Sequence, residues 1–183
     1  VHQSGATSGR SLVFKRGGSD GMDTESMRID ANGRLGIGQN NPSVPLHVYH
    51  ATTNGVATFE SGDASALINF RDNSTSDSPS IGAEGNSLSL VTGSAERVRL
   101  DSTGRLLIGT TTEGHGSADD LTINNSAHGG ITIRTGSTSN GAVFFSDGTS
   151  GAAEYDGYVQ YNHGTDPYMQ FGVGGSSRMF IRG

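Results

Sequence analysis

The chain has 183 residues, no cysteine and a net charge of −6, with 29 glycines and 32% hydrophobic residues. Without cysteine there is no disulfide framework or thiol chemistry, and with so few clustered Lys and Arg nucleic acid is excluded as a partner. No apolar run approaches the ~18 residues of a membrane span, and the N-terminal Val1-His2-Gln3-Ser4 has no basic-then-apolar signal peptide.

Glycine stands at roughly twice its average of about 7%, and Ser, Thr, Asn and Asp are abundant. Such a chain is poor in helix formers and rich in turn formers. Its apolar content is too low for one copy to build a core alone. Modest charge and clear periodicity argue against disorder. The expectation is an all-β chain that gains its core by oligomerising.

In chain order, Ser11-Leu12-Val13-Phe14 reads as the tail of an incomplete repeat. Met27 to Gly38 then predicts a tight hairpin. Asp30 opens a type I turn, Gly33 takes the left-handed position, and Arg28-Ile29 face Leu35-Gly36-Ile37. Arg34 is expected on the exposed edge, near acids of its own or a neighbouring chain. Leu46-His47-Val48 follows. Val56/Thr58 then compete with Ala57/Phe59 for the inward face. Ser61 to Phe70 is the best helical candidate, but it is short and broken by Gly62 and Asp63. Leu88-Ser89-Leu90, Val98-Arg99-Leu100, Leu121-Thr122-Ile123 and Ile131-Thr132-Ile133 alternate with period 2 and predict strands.

Internal repetition organises these elements. Val98 to Gly109 repeats Met27 to Gly38 at an offset of 71, including Asp101, Gly104 and Arg105. Leu46, Val48, Gly55, Val56, Phe70 and Asp72 recur as Leu121, Ile123, Gly130, Ile131, Phe145 and Asp147 at an offset of 75. Leu88 to Val98 recurs as Met169 to Met179 at an offset of 81. Offsets that grow in steps mean loop insertions in a repeated unit of about 75 residues. The match to Val56 favours that residue for the inward face. The expected organisation is a partial first repeat ending in a hairpin over 1–38, a second over 39–110 and a third, truncated at its end, over 111–183. The pattern predicts a protein that continues in both directions. Three chains sharing an axis would bury Ile37, Ile108, Val48 and Ile123, with neighbouring glycines allowing close backbone approach.

Candidate sites are each weighed against an ordinary structural role. His47 and His50 are three apart, so on a regular strand they face opposite sides and one chain cannot chelate with both. Three copies of one His could meet on an axis, but a surface or half-buried His is preferred. Gly36-Ile37-Gly38 lacks the Lys-Ser/Thr and the helix of a phosphate loop. Asp119-Asp120, and Asp20 with Asp23 and Glu25, do not match the alternating carboxylates of a calcium loop. Glu60, Glu84, Glu96, Glu113 and Glu154 are scattered and give no acid pair for sugar cleavage. Tyr155, Tyr158, Tyr161, Tyr168, Phe144, Phe145 and Phe171 form the densest aromatic group. They are read as packing between chains in preference to sugar stacking, and any receptor contact is expected within 147–169. No catalytic, cofactor, metal or receptor-binding residue is assigned, and no cofactor is expected.

The pattern Met27-Arg28-Ile29-Asp30-x-x-Gly33-x-x-Gly36-Ile37-Gly38-x-x-x-Pro42-Ser43, then Leu46-His47-Val48, resembles a repeat common in phage tail fibres and related virion appendages. The second copy keeps the hairpin but has no Pro-Ser pair between Thr111 and Leu121. The resemblance covers nearly the whole chain in style and about a third of it in motif. It implies an elongated homotrimeric fibre, a β-prism or β-helix-like shaft of short strands and hairpins, on the extracellular virion. Its implied partners are further copies of itself, tail or baseplate proteins outside this segment, and a host surface glycan or protein. The role would be structural and in host attachment, not enzymatic. The receptor-binding tip and self-cleaving chaperone domain that end many such fibres are not recognisable. A bacterial trimeric adhesin is the alternative reading, and a glycan-degrading tailspike a weaker one.

Overall fold

The computed structural model describes residues 2–4, 10–17 and 24–183, with the side chains of 2–4 left aside. The described residues are all-β, in open sheets, with one 3-10 turn at Gly151–Tyr155 and no α-helix. The chain divides into two compact units, 1–106 and 107–183.

In the first unit, β1 (His2–Ser4), β2 (Ser11–Arg16), β3 (Thr24–Ile29), β4 (Leu35–Ile37) and β5 (Leu46–Val48) are sheet neighbours in sequence order. The β3–β4 hairpin has the register its sequence predicts: Arg28 opposes Gly36 and Ile29 opposes Leu35. Asp30 Oδ1 accepts the Asn32 and Arg34 backbone N–H groups at 2.8 and 2.9 Å, and Gly33 sits at φ +78°. β4 and β5 pair in parallel across only the short connection 38–45, which the period-2 pattern does not reveal. Tyr49 N–H donates to the Ile37 carbonyl at 2.9 Å, and Pro42 is fully buried in the connection.

The same unit holds β6 (Ser65–Asn69), β7 (Ser80–Glu84), β8 (Ser87–Thr92) and β9 (Ala95–Leu100), an antiparallel succession. β6 lies inside the weak helical candidate, so strand pairing decides that segment. β10 (Leu106–Ile108) spans the division between the units.

In the second unit, β11 (Leu121–Ile123) lies beside β10, and Asn124 N–H donates to the Ile108 carbonyl at 2.9 Å, as Tyr49 does to Ile37. Where the second copy lacks Pro-Ser, Ala118 N–H closes a turn on the His115 carbonyl at 2.7 Å. β12 (Asn140–Phe145), β13 (Gly157–Asn162), β14 (Tyr168–Val173) and β15 (Ser176–Arg182) form an antiparallel meander. Ile131-Thr132-Ile133, predicted as a strand, belongs to none. Neither do Val56 to Phe59, so the competition for their inward face is not settled by strand pairing.

The hairpins β8–β9 and β14–β15 have the same details 81 residues apart. Each turns on two residues of positive φ, Gly93-Ser94 and Gly174-Gly175, the conformation that matches the twist of a two-residue hairpin. Each carries a bulge, between Leu90 and Val91 and between Phe171 and Gly172. In each the bulged arginine, Arg97 or Arg178, donates through Nε to a carbonyl of the opposite strand, Thr92 or Val173, at 3.2 Å.

Gly38 and Gly109 directly follow β4 and β10. They sit at φ +64° and +71°, and a Cβ on either would lie 2.2 or 2.3 Å from the carbonyl oxygen of Tyr49 or Asn124. Gly109→Ala is therefore expected to cost about 1–2 kcal/mol for the left-handed conformation alone, and more for the clash. Urea unfolding should show a lowered midpoint with little change of slope.

Candidate association surface

Directly opposed residues of a ladder project from the same sheet face, so the registers define each face. On the first sheet one side carries Phe14, Met27, Ile37 and Val48 in one row and Leu12, Ile29, Leu35 and Leu46 in the next. On β6–β9 the matching rows are Ile68, Ile81, Leu90, Val98 and Ala66, Ala83, Leu88, Leu100. On β12–β15 they are Val143, Val159, Phe171, Met179 and Gly141, Tyr161, Met169, Ile181. Each sheet thus has one face whose central rows are apolar, with polar residues such as Arg16, Thr24, Thr92 and Ser176 at its ends.

These faces are wet. Phe14, Leu90 and Met179 are 36, 41 and 53% exposed, whereas Val13, Ser89 and Gln170, on the reverse sides, are 2, 0 and 8% exposed. This inverts the usual arrangement, in which the apolar side of a sheet is packed and the polar side solvated. A compact monomer of this mass exposes about 8,300 Å², and two separate compact units of half the mass about 10,000 Å² together. This chain exposes 13466 Å².

The reverse faces of the first two sheets each carry a Glu-Arg pair. Arg28 donates to both Glu25 carboxylate oxygens at 2.5 and 2.6 Å, and Arg99 to both of Glu96 at 2.6 and 2.5 Å. Sequence reading missed this pair because residues three apart on a regular strand face opposite ways. The bulge decides it. Phe14 opposes Met27 while Lys15 opposes Glu25, and Leu90 opposes Val98 while Val91 opposes Glu96. One extra residue, Ser26 or Arg97, turns the strand so that positions i and i+3 share a side. The signal was available: Glu25 and Arg28 recur as Glu96 and Arg99 at the offset of 71. The hydrogen bond from Arg28 lowers the Glu25 carboxyl below its ordinary value.

Arg34 and Arg105 pair with their own turn acids, as half of the expectation had it. Each donates through Nε to Asp30 or Asp101 Oδ2, at 2.8 and 2.7 Å. Both aspartates are held below the usual carboxylate range, first by the backbone N–H of the same arginine.

The other candidates take structural roles. His47 Nδ1 lies 3.4 Å from Ser43 N and Oγ, and His50 Nδ1 accepts from Thr53 N at 3.1 Å. His47 opposes Gly36, so it stands on the reverse face, away from Ile37 and Val48. A Cβ at Gly36 would lie 2.1 Å from the Gln39 carbonyl oxygen, which accounts for that glycine by packing. Asp20 and Asp23 lie outside the described residues, and Asp119 and Asp120 sit before β11. No group of three potential metal ligands occurs among the described residues. Glu84 and Glu96 are brought together, but on one guanidinium, with Arg99 3.6 Å from Glu84. Glu60, Glu113 and Glu154 lie in separate connections.

The aromatics divide between the two faces of the last sheet. Phe171 and Tyr161 belong to the wet apolar face. On the reverse, Tyr158 is buried over Gly172, and its hydroxyl contacts Ser177 Oγ and the Gln170 side-chain amide, both at 2.9 Å. Phe144 meets Tyr158 edge-on at 6.1 Å, and Arg182 covers the Tyr168 ring at 5.1 Å.

No family model and no curated protein matches the sequence.

Because the folded Asp30 and Asp101 carboxyls are lowered from 3.8, their stabilisation is present above that value and lost as pH falls below it. Stability should decline on acidification below about pH 4. An Asp30→Asn, Asp101→Asn double variant should be less stable at neutral pH and show a flatter acid decline in thermal unfolding followed by circular dichroism.

Proposed function

We propose that this chain is a segment of a viral tail-fibre shaft, built from repeats of about 75 residues, in which three copies pack their apolar sheet faces around a shared axis. The fibre gives the virion reach and contributes to host attachment, and the chain carries structure instead of catalysis. The observation that carries this reading is the recurrence, on three successive sheets, of one apolar face left in water. Contiguous exposed apolar surface beyond a few hundred Å² marks an interface, and here the surface is distributed along the sequence as a fibre would need.

Three is the number that the motif's resemblance to phage fibre repeats implies. A closed arrangement about an axis lets the same face of each copy meet its equivalents. The Glu-Arg pairs and turn aspartates suit the outer side, where half-buried ion pairs remain in reach of water. Glycan or protein on a host surface would meet that outer side or parts of the fibre beyond this segment.

Light scattering should give a mass three times 18.9 kDa. Leu90→Asp with Phe171→Asp, one on each of two apolar faces, should shift the mass to that of a single chain. Retention of the threefold mass by that variant would place the contact elsewhere, and a monomeric parent would remove the proposal.

A further inference from the structure

Two segments, 55–60 and 130–135, lie outside every strand and are 75 residues apart. Among the described residues, no backbone hydrogen bond involves either one. Both begin at glycine and carry bulky apolar side chains: Val56 and Ile131 are 48 and 71% exposed, Phe59 and Ile133 65 and 47%. That is strand sequence without a strand partner. Backbone N–H and C=O groups must pair with water or with protein, and exposed β-branched side chains favour the second.

Each segment also walls a concavity floored by the apolar sheet face that follows it. Thr58 stands over Ala66 and Ala83, and Ile133 over Gly141 and Tyr161. These are equivalent positions, and the two concavities measure about 500 and 310 Å³. Within the second segment, Thr135 Oγ1 is buried without a hydrogen-bond partner.

We infer that residues 55–60 and 130–135 are the strands by which copies of this chain join. Each adds edgewise, main chain to main chain, to a sheet of a neighbouring copy, and its apolar side chains close against that copy's apolar face. Edgewise addition supplies affinity through backbone hydrogen bonds and alignment through alternate side chains.

Two observations select a second copy as the occupant. The surface in excess of two compact units is about 3,400 Å², the scale on which obligate assemblies bury area. The segments recur at one spacing, so copies aligned in a single register satisfy both together, which a small ligand would not require. The inference rests on the fibre reading only in taking the neighbour to be the same chain.

Backbone amide exchange on the intact chain, read alongside its mass, tests this. In the assembled protein, amides of 55–60 and 130–135 should exchange at least tenfold more slowly than after dilution to monomer. Ala57→Pro and Thr132→Pro remove one N–H from each segment and should weaken association at least tenfold, while Thr132→Ala should not. If a proline variant folds poorly, exchange in the parent decides. An oligomer whose segment amides exchange freely, or proline variants that assemble like the parent, would overturn the inference and leave the fibre proposal standing. A parent that is monomeric at every concentration would remove both.

Discussion

Each sheet of this chain has one face with rows of apolar residues, and those rows stand largely in water. Alternation along the strands puts Phe14, Leu90 and Phe171 on that side and Val13, Ser89 and Gln170 on the other. Burying a large apolar side chain contributes about 1.5–3 kcal/mol. A chain that leaves so many half exposed forgoes most of the term that stabilises an ordinary domain. Everything else in the structure works within that limit. Turns are fixed by aspartates, bulges are fixed by arginines, and glycines let backbones approach within van der Waals contact.

The reverse faces show how local order is kept without a thick core. At Asp30 and Asp101 one carboxylate accepts backbone N–H groups with one oxygen and an arginine Nε with the other. At Glu25 and Glu96 the carboxylate grips an arginine that the bulge has brought to the same side. Tyr158 fills the space over Gly172, where any side chain would collide with the ring. These are short-range devices that specify register. They do not substitute for burial of the opposite face.

Much of this was legible in the sequence. The Asp-x-x-Gly-Arg turn has a chemistry that only one backbone path satisfies, so the hairpin register at Arg28 and Gly36 could be written down before the fold. Leu88 to Leu90, Val98 to Leu100 and Leu121 to Ile123 became strands because alternation and turn signals agreed. The parallel pairing of β4 with β5 was not legible, because period 2 carries no strand direction. The Glu-x-x-Arg pair was hidden by a bulge, which breaks the rule used to place side chains on faces. Ile131 to Ile133 has strand composition yet no ladder within the described chain, since pairing depends on a neighbour that local sequence does not name. The apolar faces were visible as alternation, but which side stays uncovered was a property of the fold.

Most of these ladders join strands that are consecutive in sequence, several through two-residue turns. Closing a short loop costs little chain entropy, and low contact order favours rapid folding. Sheet formation is therefore a first-order, local event that each copy completes without waiting for distant parts of its own chain. In the fibre we propose, other copies cover the apolar faces afterwards, in a step of higher order. A population assembling in that way has a slow clock set by concentration and a fast one set by sequence. The interval between them is when the exposed faces can meet wrong partners.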